Sequence, residues 1–133
     1  MIKLLLVEDA QSIAKILLYY LEQTGEYQVV YTKNGGEAIS AARNQFDVIL
    51  MDIMLPDING VELCRSLRTW QNCPILFITC IEDDDILVEA LEAGGDDYLV
   101  KPFDNKVLHA RIKATLRRAG AAQQPDKPQD IWD

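Results

Sequence analysis

Four short apolar runs in this sequence break off at residues able to do chemistry. Residues 3–7 stop at Glu8 and Asp9, 48–51 at Asp52, 75–78 at Thr79, and 98–100 at Lys101. Three carboxylates gathered in one partly buried place raise one another's pKa unless a cation neutralises them. Oxygen ligands without His or Cys select a hard cation, Mg²⁺ or Mn²⁺, and Mg²⁺ ordinarily keeps several waters and meets a phosphate. Lys101 is a compact positive charge suited to a phosphate oxygen, and Thr79 offers a hydroxyl donor to another. An ionised Asp52 could then be the nucleophile of an in-line phosphoryl displacement that forms an acyl phosphate. Taken singly, each residue has a plainer role: Glu8 or Asp9 caps the following helix, Asp52 caps a loop, Thr79 is a strand residue, and Lys101 is a solvated charge. Their shared place at the ends of apolar strands favours a site.

The elements that must position them alternate along the chain. Each apolar run is followed by helical spacing: Ile13, Ile16, Leu17, Tyr20 and Leu21, closed by Gly25, then Ala38, Ala41 and Ala42 behind an Asn34 cap with Glu37 three residues on. Residues 28–32 form a further strand rich in β-branched and aromatic types. Pro56, Asp57, Asn59 and Gly60 make a turn before Val61, Leu63, Cys64 and Leu67. The acidic run 82–85 opens the helix carrying Ile86, Leu87, Ala90 and Leu91, where acids favour the positive dipole end, so it is read as a helix start rather than a metal site. Asp104 caps the last helix, with Val107, Leu108, Ile112 and Leu116.

Apolar strands without polar alternation are buried on both faces, and alternating strands and helices imply a parallel sheet between two helical layers. The expected fold is α/β, a flavodoxin-like (βα)5 three-layer sandwich with five parallel strands in the order 2-1-3-4-5. Ligands of such sheets bind at the carboxyl ends of the strands, between the first and third. That is where Glu8, Asp9 and Asp52 fall.

The 133 residues suit one core, and the formal charge of −8 disfavours direct binding to a phosphate backbone. No apolar run approaches the length of a membrane span, and no secretory leader is read, so the expected location is cytoplasmic. Cys64, Cys73 and Cys80 are odd in number and unpaired in spacing, which fits buried, reduced thiols. Two other readings of the strand-end acids are weaker. A phosphatase with an external substrate needs a cap domain, and a flavin carrier needs a phosphate-cradling loop where Glu8 and Asp9 stand.

The pieces Leu5-Leu6-Val7-Glu8-Asp9, Asp47 through Pro56, Asn59-Gly60 and Lys101-Pro102-Phe103 resemble the response-regulator receiver family of two-component systems. The resemblance covers about residues 1–119; residues 1–120 read as the receiver domain and 121–133 as a linker or tail. It implies that a sensor histidine kinase phosphorylates Asp52. It also implies that Mg²⁺ is surrounded by Glu8, Asp9, Asp52 and the backbone carbonyl of Met54, with Asp52, Thr79 and Lys101 as the catalytic set. Thr79 and Tyr98 would be the switch pair, and the Lys101–Pro102 peptide would be cis. Such a domain catalyses its own phosphorylation and dephosphorylation and forms no external product.

Within the family, Met54-Leu55-Pro56-Asp57, Gly95-Asp96-Asp97-Tyr98 and Ala110-Arg111-Ile112-Lys113 are similar to the OmpR/PhoB transcription-factor branch. That branch carries a C-terminal winged-helix domain and pairs through the face of the fourth helix, fifth strand and fifth helix. The resemblance implies a homodimer on phosphorylation, with Glu92, Asp96, Asp97, Arg111, Lys113 and Arg118 on that face. Leu87 and Val107 stand where the branch commonly has facing Arg and Glu; an apolar pair either replaces that salt bridge or weakens the dimer. His109 takes a position usually apolar. DNA would be reached only through an output domain absent from this chain, which is read either as a receiver cut from a longer regulator or as a naturally short one.

Overall fold

Strands β1 (Ile2–Val7), β3 (Val48–Met51) and β4 (Ile75–Thr79) owe their place in the middle of the sheet to their uniform apolarity. From Leu4 onward in β1, and throughout β3 and β4, every residue is buried. The computed structural model, which describes residues 1–122, sets them in a five-stranded parallel sheet of order β2-β1-β3-β4-β5. Strands β2 (Tyr27–Thr32) and β5 (Asp97–Val100) form the two edges. This is the expected flavodoxin-like architecture. Successive strand residues face opposite sides. Leu4 and Leu6 meet α1 (Gln11–Gln23) and α5 (Asn105–Ala122), whereas Leu5 and Val7 meet the layer of α2 (Gly35–Ala41), α3 (Gly60–Leu67) and α4 (Asp84–Glu92). Each such buried Leu contributes about 1.5–3 kcal/mol through removal from water.

The helix starts follow the capping residues. The Asn34 side chain accepts the Glu37 amide at 2.8 Å, Asp83 accepts the Asp85 amide at 2.8 Å, and Asp104 accepts the Lys106 amide at 2.7 Å. Asp84 and Asp85 then fill the first turn of α4, as the acidic run suggested. Helix α5 runs to Ala122, two residues past the position at which the periodicity fades. The remainder of the expected linker lies outside the described residues. Among those described, no helix is long and apolar enough to cross a membrane.

One expectation is corrected. Cys64 and Cys73 are buried, and burial pushes both thiols up, that of Cys73 to about 11, but Cys80 is exposed. The ladder of β4 ends at Thr79, so Cys80 is the first residue of the loop that leaves the sheet.

Register then places the chemistry. Val7 pairs with Met51, so Glu8 and Asp52 leave adjacent strands at one level, and the Asp52 amide still donates to the Val7 carbonyl at 3.0 Å. Thr79 pairs with Val100, and the Lys101 amide donates to the Thr79 carbonyl at 2.8 Å.

The turn after β3 depends on Gly60. Its amide donates to the Ile53 carbonyl at 2.7 Å, and a Cβ there would lie 2.3 Å from the Asp52 carbonyl oxygen and 2.6 Å from Ile53 Cα. Gly60→Ala must therefore push α3 off the Asp52–Ile53 backbone, and denaturant unfolding should show a loss of about 1–3 kcal/mol. Gly120 has nothing within 4 Å of such a Cβ. Gly120→Ala should leave stability unchanged or raise it by under about 1 kcal/mol.

Candidate functional site

At the carboxyl edge of the sheet one ammonium serves two acids. Lys101 Nζ donates to Glu8 Oε1 at 2.6 Å and to Asp52 Oδ2 at 2.9 Å, and all three side chains are at most 9% exposed. The second oxygen of each acid is held by backbone. The Met54 amide donates to Asp52 Oδ1 at 3.1 Å, and the Ala10 amide donates to Glu8 Oε2 at 3.1 Å. Burial raises the Glu8 carboxyl, Asp52 repulsion adds to this, and the bonds from Lys101 and Ala10 oppose it. Burial works to lower Lys101, but its bonds to Glu8 and Asp52 outweigh that and keep it charged.

Asp9 is exposed in the bend that follows Glu8. Among the described residues no three carboxylate, His or Cys side chains stand together as a metal cage. The donors nonetheless fit a hard cation. Glu8 and Asp52 already converge within 3 Å of a single positive centre, the ligands are oxygen only, and Mg²⁺ needs just one or two carboxylates besides its waters. Met54 lies at the rim with its side chain 62% exposed, and its backbone bridges to Asn59.

Thr79 and Tyr98 are linked through a single residue. Thr79, fully buried, accepts the Ile81 amide on Oγ1 at 3.4 Å, a long bond, and the Tyr98 hydroxyl donates to the Ile81 carbonyl at 2.7 Å. Tyr98 is turned inward against Phe77, ring centroids 6.3 Å apart. The Lys101–Pro102 peptide is cis.

Of the charged residues expected on the face of α4, β5 and α5, Arg111 and Asp97 pair with each other there, while Lys113 and Asp96 pair with residues away from it. Arg111 Nη1 donates to both Asp97 oxygens at 3.0 Å, and Lys113 Nζ meets Glu26 Oε1 at 2.5 Å. Asp96 lies at the amino end of β5, bound by Arg68 Nη2 and by the Ile75 amide, each at 2.8 Å. Glu92 and Arg118 are exposed; among the apolar residues, Val107 is exposed, as are Val88 and Leu91, while Leu87 is half-buried. His109 packs inward, its Nδ1 2.9 Å from the Tyr27 hydroxyl and its Nε2 3.4 Å from Glu26 Oε2.

Two supporting residues escape a reading of local pattern. Asp57 accepts the Gly35 and Gly36 amides at 2.8 and 2.9 Å and so ties the loop after Asp52 to the start of α2. Those two bonds hold its carboxyl below the usual range. The Tyr31 hydroxyl donates to the Glu8 carbonyl at 2.8 Å. Both partners lie more than twenty residues away.

Known proteins are similar to this chain in sequence and fold. A family model described as the response regulator receiver domain matches residues 4–113. The response regulator ArlR of Staphylococcus aureus is 44% identical over 135 residues, which is 100% of this chain and 58% of the relative. The crystal structure of a two-component response regulator from Clostridium difficile superposes with a TM-score of 0.85 at 36% identity, covering 89% of this chain and 98% of that one. DrrB of Thermotoga maritima, described as an OmpR/PhoB homologue, gives 0.78 at 34% identity, covering 89% and 54%. The chain spans a little over half the length of the curated relatives it matches. Strand order, the acids and lysine at the strand ends, and these matches agree: the chain belongs to the response regulator receiver domain family.

Proposed function

We propose that this receiver domain is a phosphorylation switch in which Asp52 takes a phosphoryl group from the phosphohistidine of a sensor histidine kinase in the cytoplasm. The convergence of Glu8 and Asp52 on one ammonium at the carboxyl edge of the sheet carries this reading. A carboxylate oxygen of Asp52 attacks phosphorus in line. An O–P bond forms as the P–N bond to histidine breaks, and the departing imidazole nitrogen takes up a proton. Mg²⁺ or Mn²⁺, held by Glu8, Asp9 and Asp52 with the Met54 carbonyl, would neutralise charge on the phosphoryl oxygens.

Lys101 lies beside Asp52, and a phosphoryl group there offers its ammonium a more highly charged partner than Glu8. The long bond from the Ile81 amide leaves the Thr79 hydroxyl free to donate to a phosphoryl oxygen at little cost. Ile81 also holds Tyr98, so movement at Thr79 reaches Tyr98 through one residue. Next to Tyr98, Asp97 and Arg111 offer opposite charges on a single face, which a two-fold axis can re-pair between two copies. A dimer formed this way would set the spacing of a DNA-binding output domain outside this chain.

Acetyl phosphate with Mg²⁺ should add one phosphoryl group to the wild-type chain and none to Asp52→Asn, read by intact mass. Equal labelling of the variant would remove Asp52 from the reaction. Sedimentation with a beryllofluoride mimic should show a monomer becoming a dimer, and Arg111→Glu should prevent the dimer while labelling proceeds. A dimer unaffected by that charge reversal would place the contact elsewhere.

A further inference from the structure

The backbone of Glu8 is held from the neighbouring strand at two points, one on the peptide before it and one on the peptide that joins it to Asp9. The Glu8 amide donates to the Thr32 carbonyl at 3.0 Å, and the Glu8 carbonyl accepts from the Tyr31 hydroxyl at 2.8 Å. The first bond continues the β1–β2 ladder, which pairs Leu6 with Tyr31 and Val7 with Thr32. The second is a side-chain bond made one residue beyond the end of β1.

We infer that Tyr31 is a positioning residue for the cation site, fixing through its hydroxyl the peptide from which Asp9 projects. The inference rests on the reading that Asp9 and Glu8 hold Mg²⁺. A backbone has two soft dihedrals per residue, so anchoring the Glu8 carbonyl sets the direction in which the chain enters Asp9. Glu8 has its carboxylate fixed by Lys101 and by the Ala10 amide. Asp9 is exposed, and the backbone beneath it is what places it. Partners behind a ligand govern affinity by orienting it.

Tyr31→Phe keeps the ring and deletes the one bond. Three proteins are compared: wild type, Tyr31→Phe and Asp9→Asn. Mg²⁺ affinity is measured by calorimetry, and labelling by acetyl phosphate is followed against Mg²⁺ concentration. The Phe variant should bind Mg²⁺ about fivefold more weakly, the worth of one ordinary hydrogen bond. The Mg²⁺ concentration for half-maximal labelling should rise by the same factor, with the rate at saturating Mg²⁺ unchanged. Its melting temperature in EDTA should fall by no more than a few degrees. Wild-type Mg²⁺ affinity in Tyr31→Phe, with Asp9→Asn weakened, would overturn the role of Tyr31 and leave the metal reading intact. A lower maximal rate at unchanged Mg²⁺ dependence would also overturn it, since Tyr31 would then act only on the general fold. Equal affinity in wild type and Asp9→Asn would instead remove Asp9 from the metal, and the inference with it.

Discussion

Two carboxylates and one ammonium, nearly out of water, are the constraint around which this domain is arranged. Glu8, Asp52 and Lys101 are each at most 9% exposed, and Lys101 Nζ lies 2.6 Å from Glu8 and 2.9 Å from Asp52. Ionised acids so deep are costly unless paired, and here the pairing is incomplete by one charge. That shortfall is the chemical resource. An added cation would be welcomed by the surplus charge, and a phosphoryl group on Asp52 would draw the ammonium toward it.

The rest of the fold supplies the three groups at fixed separation. Parallel strands β1 and β3 end in register, Val7 against Met51, so the two acids emerge at one level. The edge strand β5 delivers Lys101 from two strands away, through the bond from its amide to the Thr79 carbonyl. Around them the backbone is pinned at three further points. Gly60 lets α3 touch the Asp52 peptide, Asp57 ties that loop to α2, and Tyr31 holds the Glu8 carbonyl. The same edge reaches the far face through Ile81, whose amide touches Thr79 and whose carbonyl holds Tyr98.

Much of this was legible in the sequence because it follows from local pattern. Apolar runs without alternation mark buried parallel strands, caps such as Asn34 and Asp83 mark helix starts, and the residue after each run falls at the ligand edge of the sheet. The strand order and the gathering of Glu8, Asp52 and Lys101 at one edge of the sheet came from that reasoning; the direct pairing of Lys101 with both acids did not. What it missed depends on partners distant in sequence. Asp57 reads as a turn residue until Gly35 and Gly36 fold against it, and Tyr31 reads as a strand aromatic until β1 lies alongside. Asp96 carries no mark of its attachment to Arg68, and its neighbour Asp97, alike in sequence, pairs with Arg111 on α5 instead. Cys80 reads as apolar, yet it stands one residue beyond the ladder and meets solvent.

If one ammonium is what keeps two acids together, then removing it and removing the acid it shares must not add. The direct measurement is denaturant unfolding in EDTA, at neutral pH, of wild type, Lys101→Met, Glu8→Gln and the double variant. Lys101→Met alone should lose about 3 kcal/mol or more, the cost of leaving buried carboxylates unpaired. Glu8→Gln alone should cost far less, because Lys101 still has Asp52. The double variant should be more stable than Lys101→Met, since a neutral amide relieves the repulsion that the missing lysine exposes. Losses that simply add would contradict the account, showing that the three groups stand near one another without depending on the charge they share.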